Sequence, residues 1–100
     1  MPKITIDASR IRHIFREVQG HLGEDTPEHR QILVDAANRP ENFAGRDRFG
    51  NDWFVEVRDD GTQIWVQVRD DQITNGGVNL TPRNFDLAEY SAVPGASEAS

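Results

Sequence analysis

Apolar residues recur at helical spacing near the start of the chain. Ile11, Ile14, Phe15 and Val18 fall at i, i+3, i+4 and i+7, and the cap-type run Asp7-Ala8-Ser9 precedes them. The pattern predicts a first helix. On a wheel of about 100° per residue, Arg12 and Arg16 lie on one flank of the stripe and His13 near the opposite side. Gln19-Gly20 supplies a stop, and His21 to Asp25 reads as a loop. Thr26-Pro27 opens a second helix, with threonine as N-cap and proline at the first helical position. Glu28 suits the first turn, where the helix dipole favours a carboxylate. Ile32, Leu33, Ala36 and Ala37 form the apolar side, and Asn38-Arg39-Pro40 ends it. Residues 41–52 read as a loop, with a turn at Phe49-Gly50-Asn51-Asp52.

The second half changes period. Trp53 to Arg58 alternates as a strand, Asp59-Asp60-Gly61-Thr62 reads as a hairpin turn, and Gln63 to Arg69 returns. Asp70-Asp71-Gln72 turns again into a short third strand, Ile73-Thr74-Asn75. Gly76-Gly77-Val78-Asn79 suggests a bent end or bulge. A last strand or arm covers Leu80 to Phe85, and the small, polar run from Ser91 to Ser100 has the composition of a disordered tail. The expected fold is α+β: one domain over residues 1–90, with two N-terminal helices on an antiparallel meander of three to five strands. Alternation places Val55, Val57, Ile64, Val66 and Val68 toward the helices. Phe54, Glu56, Arg58, Trp65, Gln67 and Arg69 then share the other face. Aromatic rings set among charges there fit a binding face better than a solvated one.

Length and composition narrow the classes. One hundred residues, 36% apolar and 28% charged, suit one small domain. No apolar run is long enough to span a bilayer, and Met1 to Asp7 has no apolar leader. Cytosol is the default expectation. With no cysteine, a disulfide scaffold, a thiol nucleophile and cysteine-based zinc sites are excluded. The net charge of −6 argues against a general nucleic-acid coat. The distribution is uneven. Residues 1–50 are balanced, and the whole excess of acid falls in residues 51–100. Lys3, Arg10, Arg12 and Arg16 face only Asp7 in the first sixteen residues, which leaves room for one local basic site.

Three stretches resemble a known group. Arg12-His13-Ile14-Phe15, Gly20-His21 and Asp25-Thr26-Pro27-Glu28-His29-Arg30 resemble the start of a C-terminal toxin domain of bacterial polymorphic toxins of the filamentous-haemagglutinin and Rhs type. Asp60 to Arg69 resembles their central hairpin, and Ile73 to Asn79 their closing motif. The resemblance spans about residues 4–86 and rests on order and spacing. It implies the barnase–EndoU–colicin–RelE superfamily: helices on a small antiparallel sheet, metal-independent RNase activity and a cognate immunity protein as partner. Such domains are carried by a large delivery protein, and against that pattern this chain reads as an excised domain, a free-standing relative or a remnant.

Cleavage of RNA without a metal needs a base for the 2′-OH, an acid for the 5′-oxygen and a cation for the charged transition state. Histidine titrates in the right range, and the candidates are His13 and His21. His29, in the first turn of a helix, reads as a surface residue. Arg69 is the expected transition-state cation, helped by Arg12; its plain alternative is a cross-strand pair with Glu56. Trp65 either stacks a base or belongs to the core. Gln67 shares its face. Thr26 either contacts phosphate or serves only as N-cap, and Asn75 and Asn79 either hold RNA or serve their turns. No metal-ligand spacing or cofactor motif is present, so neither is expected.

The leading expectation is therefore a toxin-type endoribonuclease acting on RNA, with tRNA one candidate, in the bacterial cytosol. A small acidic inhibitor of the immunity type is the competitor, its carboxylates mimicking phosphates; an inactive toxin-like interaction module is a third. An inhibitor would gather Asp59, Asp60, Asp70 and Asp71 on one surface. An RNase would gather His13, His21 and Arg69 around one cleft.

Overall fold

The computed structural model describes residues 3–84. The Ser91–Ser100 run and the end of the expected arm at Phe85 lie outside them. The fold is α+β, as the pattern predicts. Strand β1 (Thr5–Ile6) leads through a 3-10 turn, Ala8–Arg10, into a one-turn helix α1 (Ile11–Ile14). Helix α2 (Pro27–Ala37) follows, then β2 (Phe43–Arg46), β3 (Asp52–Val57), β4 (Gln63–Arg69) and β5 (Gln72–Asn79). The sheet order is β1-β5-β4-β3-β2, antiparallel except for the β1–β5 pair.

Helix α2 forms where its caps direct. Thr26 Oγ1 accepts from the His29 amide, and Pro27 opens the first turn. Its Leu33, Ala36 and Ala37 are buried against Phe54, Ile64, Val66, Val68 and Ile73. Two glycines let other groups approach the sheet. A Cβ on Gly76 would lie 3.3 Å from the Leu33 methyls, and one on Gly77 would lie 2.0 Å from the Gly20 carbonyl. Leu33 and Gly20 thus mark opposite faces of β5.

Five expectations need correction. The first helix ends at Ile14, not Val18. Phe15 turns extended and pairs with Leu22, so backbone pairing displaces the helix and leaves Val18 exposed. Residues 43–46 are a strand rather than loop, paired to β3 through a bulge at Ala44. Strand β5 extends through Gly76-Gly77 to Asn79, and no strand follows it among residues 80–84. The phase of β3 is the reverse of the one expected. Phe54 opposes Val66, and Val55 opposes Trp65; directly opposed residues share a face. Phe54 therefore joins the helix-side core, while Trp53, Val55 and Val57 face away from it. Glu56 does not pair with Arg69. It accepts from Arg39 and Asn42 instead.

Candidate functional site

The sheet face turned away from α2 carries three cross-strand pairs: Gln67 with Asn75, Trp65 with Gly77, and Gln63 with Asn79. The loop from Arg16 to Gly23 crosses the middle pair. Trp65 Nε1 donates to the Gly20 carbonyl at 2.8 Å, and the His21 ring meets Trp65 edge-on. This roof divides the face into two hollows.

The first hollow, about 210 Å³, lies beside Gln67 and Asn75. Arg10 and His13 form one wall, Arg69 and Asn51 another, and Thr74 sits with Asn75 on the floor. Each residue has a local reason to be there. Asp7 caps the 3-10 turn by accepting from the Ser9 amide and hydroxyl, and the Arg10 amide bonds back to the Asp7 carbonyl. His13 follows on α1. On β5, Ile73 pairs with Val68 and Asn75 with Gln67, so Thr74 is an extra, bulged residue. A bulge re-aims a side chain, and both Thr74 and Asn75 reach the same hollow. Asp70 and Asp71 adopt left-handed backbone (φ 53° and 61°), closing the tight hairpin after Arg69.

A buried carboxylate holds the remaining wall. Asp47 accepts from the Phe49 and Asn51 amides, from Asn51 Nδ2 and from Trp53 Nε1. The turn so formed presents the Phe49 carbonyl to the Arg69 guanidinium, which donates to it. Burial alone would raise the Asp47 carboxyl, but these four donors outweigh it and hold it below the ordinary carboxylate range.

His13 is held below its ordinary pKa of 6.5, first by partial burial and then by Arg16 and Arg10. Its neutral form therefore prevails at neutral pH. His21 is shifted the same way, mainly by burial, with Arg16 and His13 adding to it and hydrogen bonds involving the Ile14 and Gly76 backbone opposing it. Its tautomer follows from its partners. The Ile14 carbonyl can only accept, so Nδ1 carries the proton; the Arg16 guanidinium can only donate, so Nε2 offers its lone pair.

Of the expected site residues, His13, Gln67 and Arg69 converge. His21 does not join them: both ring nitrogens are engaged, and the ring lines the second hollow. Trp65 is fully buried between Trp53 and His21, with no face left for a base. Arg12 is exposed and does not line the cleft, because it is turned about 100° from His13 on α1; Arg10, three residues before His13, takes that place. Thr26 serves its cap beside Asp25 and Arg30, on a separate shallow surface. Asn79 is buried and lines the second hollow. Asn75 joins the cleft as one of its two expected roles requires. Arg10, Asn51 and Thr74 were not singled out in the sequence, although the basic surplus of the first sixteen residues pointed toward Arg10.

The acidic doublets do not gather. Asp59 and Asp60 precede β4 while Asp70 and Asp71 follow it, and its seven residues separate them by roughly 20 Å. Among the described residues, no three histidine or acidic side chains stand close enough to hold a metal ion. No helix there is long and apolar enough to cross a membrane. Comparison with family models, with curated proteins and with solved structures yields no match.

Proposed function

We propose that this protein is an endoribonuclease of the toxin type, cleaving RNA by 2′-OH attack in the His13–Arg69 cleft. The carrying observation is the convergence of one neutral imidazole and two guanidiniums, Arg10 and Arg69, on a polar hollow. A phosphodiester placed there meets cations suited to forked contacts. His13 takes the 2′-OH proton, and the 2′-oxygen attacks phosphorus. Arg69 and Arg10 offset the charge that builds on the phosphoryl oxygens. The P–O5′ bond breaks, and the imidazolium returns the proton to the leaving oxygen. The products are a 2′,3′-cyclic phosphate and a 5′-hydroxyl. His21 has no part in the proton transfers. The amides of Asn51, Gln67 and Asn75 and the Thr74 hydroxyl supply polar contacts to the strand.

The sequence resemblance supports the same reading, and with it a cognate immunity protein as partner and the cytosol of a target bacterium as the place of action. The separation of the acidic doublets weighs against the inhibitor alternative. The test is incubation of purified protein with short RNAs, including tRNA. Wild type is expected to release cyclic-phosphate fragments, His13→Ala and Arg69→Ala to release them far more slowly, and a 2′-O-methyl substrate to give none. Intact RNA with folded wild-type protein would overturn the proposal and leave the interaction-module reading.

A further inference from the structure

The second hollow, about 430 Å³, opens at the far end of the same sheet face. Its walls are apolar through Val18 and Leu80 and polar through Gln19, His21, Asn79 and Arg83. Val18 is 52% exposed and Leu80 85% exposed, so two aliphatic side chains stand open beside one opening. Asn79 is only 2% exposed. Its Nδ2 donates to Gln63 Oε1 at 3.0 Å, but its Oδ1 is buried with no donor. Turning the amide over would set Oδ1 against the Gln63 oxygen, which already accepts from the Arg83 amide, so the orphan acceptor is fixed by its neighbours. Buried acceptors are rarely left unpaired, because desolvation without a partner is unfavourable.

Position completes the picture. Asn75 floors the first cleft and Asn79 lines this hollow. Four strand residues separate them by roughly 13 Å along one face, within reach of a nearby nucleotide on the same strand. Resting on the ribonuclease reading for its biological ligand, we infer that this hollow is a nucleobase subsite. Aliphatic side chains flank the ring, and an N–H on the base edge supplies the donor that Asn79 Oδ1 lacks. Aliphatic walls with one orienting acceptor suit a flat, mostly apolar ring with a polar edge.

The test separates this subsite from the cleavage chemistry. Methyl NMR spectra of the full chain would be followed during titration with free adenosine, cytidine and guanosine, and separately with inorganic phosphate. Nucleosides are expected to shift the Val18 and Leu80 methyls, in wild type and in His13→Ala alike, whereas phosphate shifts only methyls beside the first cleft, such as that of Thr74. Val18→Ser should weaken nucleoside binding by about fivefold or more, in line with loss of aliphatic contact, and leave the phosphate response unchanged. Asn79→Ala removes the acceptor and should weaken all three nucleosides, each of which carries an N–H donor on its base edge, and equal binding by this variant would also count against the subsite. Methyls that no nucleoside moves, or that show contacts to residues 85–100 of the chain itself, would overturn the inference even if RNA is cleaved. Nucleoside binding without RNA cleavage would sustain the subsite while removing the ribonuclease reading.

Discussion

The Trp53 indole Nε1 donates to the buried Asp47 carboxylate at 2.9 Å, and that bond braces the β2–β3 turn whose Phe49 carbonyl accepts from Arg69. Asp47→Asn keeps the shape but loses the charge and sets an NH₂ group among donors. Charge-assisted bonds of this kind contribute about 1.5–3 kcal/mol, so the substitution should cost about 2–3 kcal/mol in urea unfolding near neutral pH. The pH dependence has a definite sign. The folded pKa lies below the ordinary 3.8, so the stabilisation is present above that value and is lost as pH falls through the folded pKa. The gap between wild type and variant should therefore narrow in strong acid. A gap that stays constant down to about pH 2 would remove the carboxylate from this role.

Where local chemistry decides the structure, the sequence was readable. Thr26-Pro27 and the Ile32/Leu33/Ala36/Ala37 spacing carried α2, and the alternation of Gln63 to Arg69 carried β4 with its bounds. Failures arose where a partner decides. Phe43-Ala44-Gly45-Arg46 has no strand signature, and it is a strand only because β3 offers its edge. Alternation fixes which side chains share a face but not whether something covers it. Trp65 therefore read either as a platform for a base or as core, and the loop 16–23 that roofs it makes it core. The pairing of His13 with Arg69 was legible because each lay on an identifiable element. Thr74 was not, because a bulge depends on register and leaves no mark in composition.

Gly77 marks the closest approach of the loop to the sheet. A methyl group there would meet the Gly20 carbonyl at 2.0 Å and the His21 Cα at 2.8 Å, both backbone atoms that cannot swing aside. Gly77→Ala should cost at least about 2 kcal/mol and loosen the roof over Trp65, raising its fluorescence quenching by acrylamide. Gly61 offers the control. Nothing lies within 4 Å of its Cβ position, but its φ is +86°, so Gly61→Ala should cost only about 1 kcal/mol. Equal effects at the two positions would deny the close packing of the loop.

His13 should impose a specific pH profile on cleavage. As the base it acts when neutral, so rate should rise with pH and level off once the imidazole has lost its proton. Burial, Arg16 and Arg10 set that midpoint below 6.5. Added salt weakens the two arginine contributions and leaves burial untouched, so the rising limb should move toward higher pH at high ionic strength. His13→Ala should lower the rate by about 10²–10⁴-fold. A titration of the His13 ring by NMR provides the matching midpoint, and a rising limb that does not track it would assign the base elsewhere.

His21 should act on stability rather than chemistry. Its ring is held neutral mainly by burial, with the charge of Arg16 adding to it, while Arg16 donates to Nε2 and Nδ1 donates to the Ile14 carbonyl. A second proton would set two donors face to face beside a guanidinium. The folded pKa is therefore below 6.5, so the unfolded chain takes up the proton first and stability falls as pH drops below 6.5 toward the folded value. His21→Phe removes that titration. It also leaves the Ile14 carbonyl and Arg16 without their partner, a loss of about 1–3 kcal/mol near neutral pH. As pH falls toward about 5, wild type should weaken faster than the variant and the two curves should converge. His13 titrates in both proteins, so the difference isolates His21. Parallel curves across that interval would mean that His21 gains no proton on unfolding, and the neutral tautomer bridging Ile14 and Arg16 would have to be abandoned.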